Sequence, residues 1–257
     1  MTYTDEIKKH LSIYAQRHGD DRLILGHRLS EWCGYGPILE EDLATTNTSL
    51  DLIGQSVMWL KYAAETDGLG KTEDDMAYLR SEREFKNVLL VEQQNEDFAY
   101  TTARQFFFDV YDLIFYSELR NSTDETLRGI AEKSVKESTY HVRHSSEWML
   151  RLGDGTEESH QKIKNAVADL WMYTGELFFM DETDEILIKE GIAIDLNKVK
   201  TLWYENVSKI INEATLEVPS LDTFMQKGGR KGIHSENLGH ILSELQYLKR
   251  AFPTAKW

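Results

Sequence analysis

The feature that most constrains this chain is its scarcity of proline, with Pro37, Pro219 and Pro253 as the only three in 257 residues. Proline cannot donate a hydrogen bond inside a helix and usually stands where a helix has ended. The long stretches between these prolines are therefore free to be helical. We predict an all-α fold of long helices packed antiparallel.

The first long helix is predicted over residues 39–65, where apolar residues recur close to the 3.6-residue helical period. It ends at the glycine-containing turn of residues 67–70. We expect its apolar stripe to face the core. The stripe consists of Leu39, Leu43, Leu50, Ile53, Val57 and Leu60.

Further helices are predicted from about residue 96 to Leu119, from Ser122 to Leu152 and from Thr156 onward. Ser122 and Glu125 match a capping box, and Thr156 is a suitable N-cap. The apolar run of residues 88–91 could form a short strand, although one strand makes no sheet.

Aromatic residues on these helices are candidates for contacts with a partner protein, because interfaces are enriched in them. Consecutive residues of a helix point in different directions, so we expect at least one of Phe106, Phe107 and Phe108 to lie outside the core stripe of its helix. The alternative is that they all belong to the chain's own core. The candidates are Trp59, Tyr62, Phe106, Phe107, Phe108, Tyr111, Phe115, Tyr116, Trp171 and Tyr173.

Charge and composition exclude several classes of function. A net charge of −15 repels nucleic-acid phosphates and anionic lipid surfaces, so neither nucleic acid nor membrane is an expected partner. The single cysteine, Cys33, cannot form an internal disulfide, which fits a reducing compartment. With no long apolar run and no apolar signal segment, a cytoplasmic location is predicted.

The length and the 41% hydrophobic content suit one helical domain over residues 1–257. Within it we expect an N-terminal extension helix over residues 1–19 and a C-terminal loop and helix over residues 217–257.

A helical bundle of this size raises the question of a di-iron site, for which ferritin-like proteins use a Glu on each of two helices and Glu-x-x-His on each of two others. The literal motif Glu157 to His160 falls in a first helical turn after a glycine-rich loop, and is interpreted as a solvated helix start.

A better candidate is His141, because it lies on the inward stripe of a long helix. Ser138 stands three residues before it where a glutamate would be needed. Glu137 and His144 could complete a polar cluster, or all of them could be core-edge groups bonded to neighbours. Asp109 is the only acid deep in the apolar run of its helix, and must be paired if it is buried.

Several segments together resemble the C-subunit family of phenylacetate-CoA oxygenase, and the resemblance extends from about residue 20 to 257. These segments are LGHRLSEWCG at 25–34, LVEQ at 90–93, INEATL at 211–216, GGRKGIHSENLG at 228–239 and LQYL at 245–248.

The resemblance implies a ferritin-like helical subunit that pairs with a related catalytic subunit. That partner would hold the di-iron centre, in an assembly that epoxidises the ring of phenylacetyl-CoA with O₂ and reductase-supplied electrons. It implies an accessory role for this chain, with no catalytic residue, metal or other cofactor of its own. The alternatives are a self-contained di-iron oxygenase and a helical scaffold without an oxygenase partner. Self-association of the isolated chain is left open.

The ligand pattern of the catalytic partner, carried onto this chain, is only half preserved. Leu52 and Ser138 replace glutamates and Gln55 replaces a histidine, which leaves too few donors for two iron ions. We therefore expect an empty or hydrogen-bonded vestige of the site. The six positions are Glu31, Leu52, Gln55, Asp109, Ser138 and His141.

The loop of residues 228–232 could bind an anion, because it combines glycines with Arg230 and Lys231 and precedes a helix N-terminus at Ser235. Since coenzyme A carries phosphates, the ligand would be a CoA phosphate or an acidic patch of a partner. The alternative is an ordinary connector with solvated charges.

Overall fold

Two long helices, α1 (Asp5–Ser30) and α2 (Leu39–Asp67), begin the chain. The computed structural model describes residues 3–255, which form two compact units: residues up to 94 together with those from 228, and residues 95–227. No β-strand occurs among the described residues, and the predicted all-α fold is confirmed.

The remaining helices follow in chain order. The first unit adds α3 (Glu73–Tyr78), α9 (Glu236–Leu245), α10 (Tyr247–Ala251) and 3₁₀ turns at Glu82–Glu84, Leu89–Glu92 and Gly229–Lys231. The second unit contains α4 (Phe98–Leu119), α5 (Glu125–Gly153), α6 (Glu157–Trp171), a 3₁₀ turn at Thr174–Phe178, α7 (Glu182–Lys189) and α8 (Leu196–Glu213).

The predicted sub-segments map onto this order as follows. The part of residues 1–19 that the structure describes belongs to α1, which continues unbroken to Ser30. Residues 217–227 lie in the second unit, while the 3₁₀ turn at Gly229–Lys231, α9 and α10 lie in the first. A single domain over residues 1–257 stays a prediction.

Helix starts follow the expected capping chemistry with one correction. Thr156 caps α6 by accepting a hydrogen bond from the Ser159 N–H, as predicted. The cap of α5 is Asp124 and not Ser122, since the Asp124 carboxylate accepts from the Leu127 N–H at 2.8 Å. The Ser122 hydroxyl instead donates to the Ile192 carbonyl at 2.6 Å.

Residues 88–91 were a candidate strand, and this expectation is wrong. Leu89–Glu92 forms a 3₁₀ turn whose four residues are all buried. A turn fits here because the Val88 N–H, which would pair with a neighbouring strand in a sheet, donates to the Asp21 carboxylate at 2.8 Å.

The α1–α2 pair is joined by serine hydroxyls that donate to backbone carbonyls of the facing helix. As the contacts advance along α1 they retreat along α2, so the two helices are antiparallel. The donor–acceptor pairs are Ser12–Ala63 (2.9 Å), Ser56–Gly19 (2.9 Å) and Ser49–Gly26 (2.7 Å).

This seam depends on the absence of side chains at Gly19 and Gly26. A Cβ added to Gly19 would lie 2.7 Å from Leu60 Cδ2. One added to Gly26 would lie 2.9 Å from Ile53 Cγ1 and 3.2 Å from the Ser49 carbonyl oxygen. The two backbones therefore approach closely, as glycine allows.

Because α1 and α2 pack so closely, the buried face of α2 is not the one that the apolar stripe predicted. Its buried face carries Leu52, Gln55, Ser56 and Trp59, so polar and apolar side chains mix against the rest of the unit. Most of the predicted core stripe points to solvent: only Leu60 of its six members is buried, and Ile53 is half-buried. The exposed members are Leu39 (72% exposed), Leu43 (56%), Leu50 (62%) and Val57 (45%).

Two adjacent buried acids of α1, Asp20 and Asp21, bind side chains and backbone from other segments of the first unit. Asp20 forms a salt bridge with Arg80 and accepts from the Lys86 N–H at 2.8 Å. Asp21 accepts from the Arg230 guanidinium at 3.0 and 2.8 Å. Burial raises the pKa of Asp21, although the charge of Arg230 acts against the rise.

A third buried acid, Glu92, binds the start of α9. It accepts hydrogen bonds from the Ser235 N–H at 2.7 Å and from His234 Nδ1 at 2.9 Å. The other ring nitrogen of His234 lies 3.0 Å from the Phe85 carbonyl oxygen. Both partners are acceptors, which favours the protonated ring. Burial lowers the pKa of His234, but Glu92 and Phe85 outweigh burial and the net shift is upward.

The second unit has an aromatic core around α4, which packs against α5, α6 and α8. Phe106, Phe107 and Phe108 are all fully buried, so a position outside one core stripe of α4 does not leave any of them available for a partner protein. The Trp203 ring packs on Phe107, and its indole N–H donates to the Phe107 carbonyl at 2.9 Å. Of the ten aromatic residues considered as interface candidates, Tyr173 alone is not buried.

The seam predicts opposite effects for two glycine substitutions. Gly26→Ala should lower the free energy of unfolding by about 1–3 kcal/mol, because the new methyl group crowds α2. Gly129→Ala, at an exposed position of α5 with nothing within 4 Å of a Cβ, should raise it by about 0.5–1 kcal/mol. Urea unfolding followed by circular dichroism measures both, and shifts of equal sign would contradict the close seam.

Candidate functional site

Three of the six predicted ligand positions lie in the first unit. Glu31 follows the last residue of α1, and its partly exposed carboxylate forms a salt bridge with Arg28 at 2.7 Å. Leu52 and Gln55 are buried on α2. These positions therefore present one carboxylate, one alkyl group and one amide.

The other three positions lie in the second unit, on the antiparallel helices α4 and α5. Asp109 is buried on α4, and its Oδ1 accepts from Gln105 Nε2 at 2.5 Å. His141, buried on α5, interacts electrostatically with the Asp109 carboxylate. Ser138 lies one turn earlier and donates to Asp112 Oδ2 at 2.7 Å. The structure thus brings Asp109 and His141 together within a buried polar seam.

The electrostatics of the seam centre on Asp109. Burial raises the pKa of Asp109 to about 6. The charge of His141 and hydrogen bonds from Ser145 and Gln105 oppose the rise, while the charge of Asp112 adds to it. The carboxyl group therefore changes its protonation within the range from mildly acidic to neutral pH.

The residues at the six positions do not fit a di-iron carboxylate centre. Such a centre needs four carboxylates and two imidazoles, and these positions supply two carboxylates and one imidazole. Leu52 has no donor atom, and the Ser138 hydroxyl donates to Asp112. Within residues 3–255, no three His, Cys, Asp or Glu side chains are grouped so that they could hold a metal ion.

The other histidines singled out from the sequence have local partners. His160 lies in the first turn of α6, with its Nδ1 2.7 Å from the Gly153 carbonyl oxygen, and Glu157 is exposed. Glu137 and His144 are half-buried, and the His144 ring stacks on Tyr140 with ring centroids 6.1 Å apart.

The two basic residues of the predicted anion-binding loop differ in environment. Arg230 is buried and donates to Asp21 and to the backbone carbonyls of Arg17 and Lys86, whereas Lys231 is exposed. The backbone N–H at the start of α9 already binds Glu92. Contact with CoA or a partner at this loop stays a prediction, and Lys231 is the exposed one of the two cations.

Sequence reasoning missed the buried network of Asp20, Asp21, Glu92 and His234. One signal was available, since two adjacent acids within a helix cannot both face solvent if the helix is packed on several sides. Glu92, Arg230 and His234 also belong to segments that carry the family resemblance, and in the structure they join these segments to each other and to α1.

None of the helices within the described residues is long and apolar enough to span a lipid bilayer.

The fold defines a class: an all-α protein of long helices, with α1 antiparallel to α2 and α4 antiparallel to α5. The family model for the phenylacetic acid catabolic protein matches residues 1–257, and the chain belongs to this family. It is 47% identical to the C subunit of 1,2-phenylacetyl-CoA epoxidase from Escherichia coli (strain K12) over 247 residues, which cover 96% of this chain and 99% of that protein. The predicted family is confirmed.

The raised pKa of Asp109 predicts a pH-dependent stability. The pKa of Asp109 is about 6 in the folded protein, against an ordinary value of 3.8. The protonated carboxyl group therefore stabilises the folded state below about pH 4, and this stabilisation is lost as the pH rises to 6. The full loss is about 3 kcal/mol.

Asp109→Asn should remove this dependence, because an amide does not ionise. The free energy of unfolding of the variant, relative to wild type, should rise by up to about 3 kcal/mol between pH 4 and pH 7. Asp169→Asn, at an exposed position of α6, is the matched control. Urea titrations at several pH values test the prediction, and parallel curves for wild type and Asp109→Asn would refute it.

Substitutions of the two loop cations, Arg230 and Lys231, should differ in their effect on stability. Arg230→Ala should cost about 3–5 kcal/mol of stability, because it leaves the Asp21 carboxylate buried without its partner. Lys231→Ala should change stability by less than about 0.5 kcal/mol. Thermal and urea unfolding of both variants gives the comparison, and similar stabilities would show that the Asp21–Arg230 pair contributes little.

Proposed function

We propose that this chain is the non-catalytic accessory subunit of a phenylacetyl-CoA epoxidase in phenylacetate catabolism. It docks on a catalytic subunit that holds the di-iron centre, and supports it within an assembly of several subunits. The observation that carries the proposal is the ligand set, in which Leu52, Gln55 and Ser138 stand where a di-iron subunit has two carboxylates and an imidazole. The family and the E. coli relative support the pathway.

The surroundings of the remaining donors favour a structural role for them. Glu31 is paired with Arg28, and Asp109 accepts from Gln105. A metal would have to displace these partners and would still lack the charge of two carboxylates. Iron would therefore reside in the partner, together with oxygen activation and the ring chemistry.

The chain itself would then contribute structural support and no reacting group. The serine–glycine seam of α1 and α2 and the aromatic core around α4 each provide a well-packed helical body. Such a body can hold the catalytic subunit in one conformation without contributing a reacting atom.

Two finer proposals accompany this function. The assembly works in the cytoplasm, where CoA thioesters are handled. Lys231 would contact a CoA phosphate or an acidic patch of a neighbouring subunit. Arg230 would contribute to the same contact, although its guanidinium also pairs with Asp21.

Co-expression with the catalytic epoxidase subunit tests the function. Size-exclusion chromatography should give a stable complex, and iron analysis of the separated chains should find iron only in the partner. Epoxidation of phenylacetyl-CoA by the complex should survive His141→Ala in this chain.

Two outcomes would reject the proposal in different ways. Stoichiometric iron in the isolated chain, removed by His141→Ala or by Glu31→Ala, would identify a self-contained di-iron oxygenase. A chain that binds neither iron nor the catalytic subunit would be a helical scaffold outside the epoxidase.

A further inference from the structure

The C-terminal segment, residues 228–251, binds back onto the first unit through polar side chains near both of its ends. Near its start, the Arg230 guanidinium donates to the Asp21 carboxylate at 2.8 Å. Near its end, Gln246 Nε2 donates to the carbonyls of Ala77 and Arg80 at 3.2 and 2.9 Å. Neither the guanidinium nor the amide loses a proton near neutral pH, so both are permanent donors.

Between these two contacts, His234 is held by two oxygen atoms. The side chains of His234 and Glu92 are fully buried. Nδ1 of the ring lies 2.9 Å from Glu92 Oε2, and Nε2 lies 3.0 Å from the Phe85 carbonyl oxygen. A neutral imidazole has one N–H and one lone pair, so it can donate to only one of these acceptors. Only the protonated ring satisfies both contacts.

The Glu92 carboxylate cannot turn away from the ring without losing other hydrogen bonds. Its Oε1 accepts from the Ser235 N–H at 2.7 Å, and its Oε2 also accepts from Asn87 Nδ2 at 3.0 Å. His234 and Ser235 are therefore held by one carboxylate. A change at the His234 ring acts directly on the start of α9.

A second acid on a neighbouring element also favours the charged ring. Asp20 of α1 attracts the positive charge of His234, although Asp20 itself forms a salt bridge with Arg80. Burial lowers the pKa of His234, while Glu92, the Phe85 carbonyl and Asp20 raise it, and the net shift is upward.

The cations of the surrounding segments lie beside the partners of His234. Arg28 of α1 donates to the backbone carbonyl of Glu92 at 3.1 and 3.0 Å. Lys86 lies close to the C-terminal segment, since a Cβ built on Gly232 would be 3.1 Å from its Nζ. These positive charges act against a protonated ring. The acids and carbonyl outweigh them, because the pKa of His234 is raised overall.

We propose that His234 is a pH-dependent clamp, which holds residues 232–242 against the first unit while it is protonated and loosens them when it loses its proton in mildly alkaline solution. The permanent donors Arg230 and Gln246 keep both ends of the segment bound, so the opening is confined between them. The proposal does not rest on the proposed function, because it concerns this chain alone.

The open state of this segment remains a minor population. Leu238, Ile241 and Leu242 of α9 are buried, and opening would expose them to water at a cost that the clamp alone does not offset. Such local opening occurs within an otherwise folded protein. Loss of the proton therefore changes how often the segment opens, and does not unfold the first unit.

The direction of the pH effect follows from the difference in proton affinity between the two states. In the open state His234 reaches water and has the ordinary pKa of 6.5, whereas its pKa in the closed state is higher. Below pH 6.5 both states carry the proton and the clamp contributes in full. Between the two pKa values, the open population grows by up to about tenfold for each pH unit, and the contribution is lost as the pH rises through the higher one.

The first test is amide hydrogen exchange of the full chain, expressed relative to the intrinsic exchange rate at each pH. Between about pH 6 and about pH 8.5, the protection of residues 235–242 should fall by about tenfold, as expected for loss of a hydrogen bond to a charged group. The protection of residues 11–29 of α1 should change by less than about twofold. An NMR titration of the His234 ring should give a pKa above 6.5.

The second test separates the clamp from a merely structural role. His234→Gln should give low protection of residues 235–242 that no longer depends on pH. His240→Gln is the matched control, because it removes an exposed histidine from the same helix, and it should keep the wild-type profile. Glu92→Gln retains the shape of the side chain without its charge, and should move the midpoint of the His234 ring titration to lower pH. Circular dichroism should show all three variants folded.

Each contrary result overturns the proposal. Wild-type protection of residues 235–242 that is independent of pH excludes a clamp, and an equal loss in α1 shows global rather than local opening. A wild-type pH profile in His234→Gln assigns the effect to another group. An unmoved midpoint in Glu92→Gln excludes the Glu92 contact as its cause. A ring titration of the wild-type protein at or below pH 6.5 refutes the proposal even if the variants do not fold.

Discussion

The burial of two adjacent carboxylates, Asp20 and Asp21, is the constraint on which the first unit depends. A buried charge costs several kcal/mol unless it is paired and hydrogen-bonded. Because neighbouring residues of a helix point in different directions, each acid takes its own cation and backbone N–H, with Arg80 serving Asp20 and Arg230 serving Asp21. Arg230 lies 209 residues from Asp21 in the sequence, so this demand brings the C-terminal segment back to the first helix.

The seam between α1 and α2 has a similar consequence for the surface. Gly19 and Gly26 allow the helix backbones to approach closely, and Ser49 and Ser56 bond across the gap. Ser49 and Ser56 therefore face α1, the buried face of α2 also carries Leu52 and Trp59, and four large aliphatic residues of α2 are left exposed. The chain gains both a tightly joined helix pair and an apolar surface. That surface is aliphatic, since nearly all the aromatic residues first considered for an interface are buried.

The polar seam of the second unit is compatible with the accessory role proposed above. Asp109 and His141 face each other in a buried environment, and the neighbouring position that would complete a ligand pair is Ser138, which bonds to Asp112. Hydrogen bonds satisfy part of the polarity that metal coordination would satisfy in a di-iron subunit. This arrangement joins α4 and α5 through buried hydrogen bonds.

The sequence by itself determined the all-α class, most helix positions and the cap at Thr156, because proline placement, helical period and capping chemistry act locally. The family followed separately, from the resemblance of several segments to known members. Only the tertiary structure decided which face of α2 is buried, since apolar residues occur on both faces and the glycines of α1 select one. It likewise buried all of Phe106–Phe108, because three helices pack around α4. Arg230 was predicted from its glycine-rich loop to contact an anion, but nothing in the sequence indicated its burial, which depends on Asp21, a partner that is distant in the sequence.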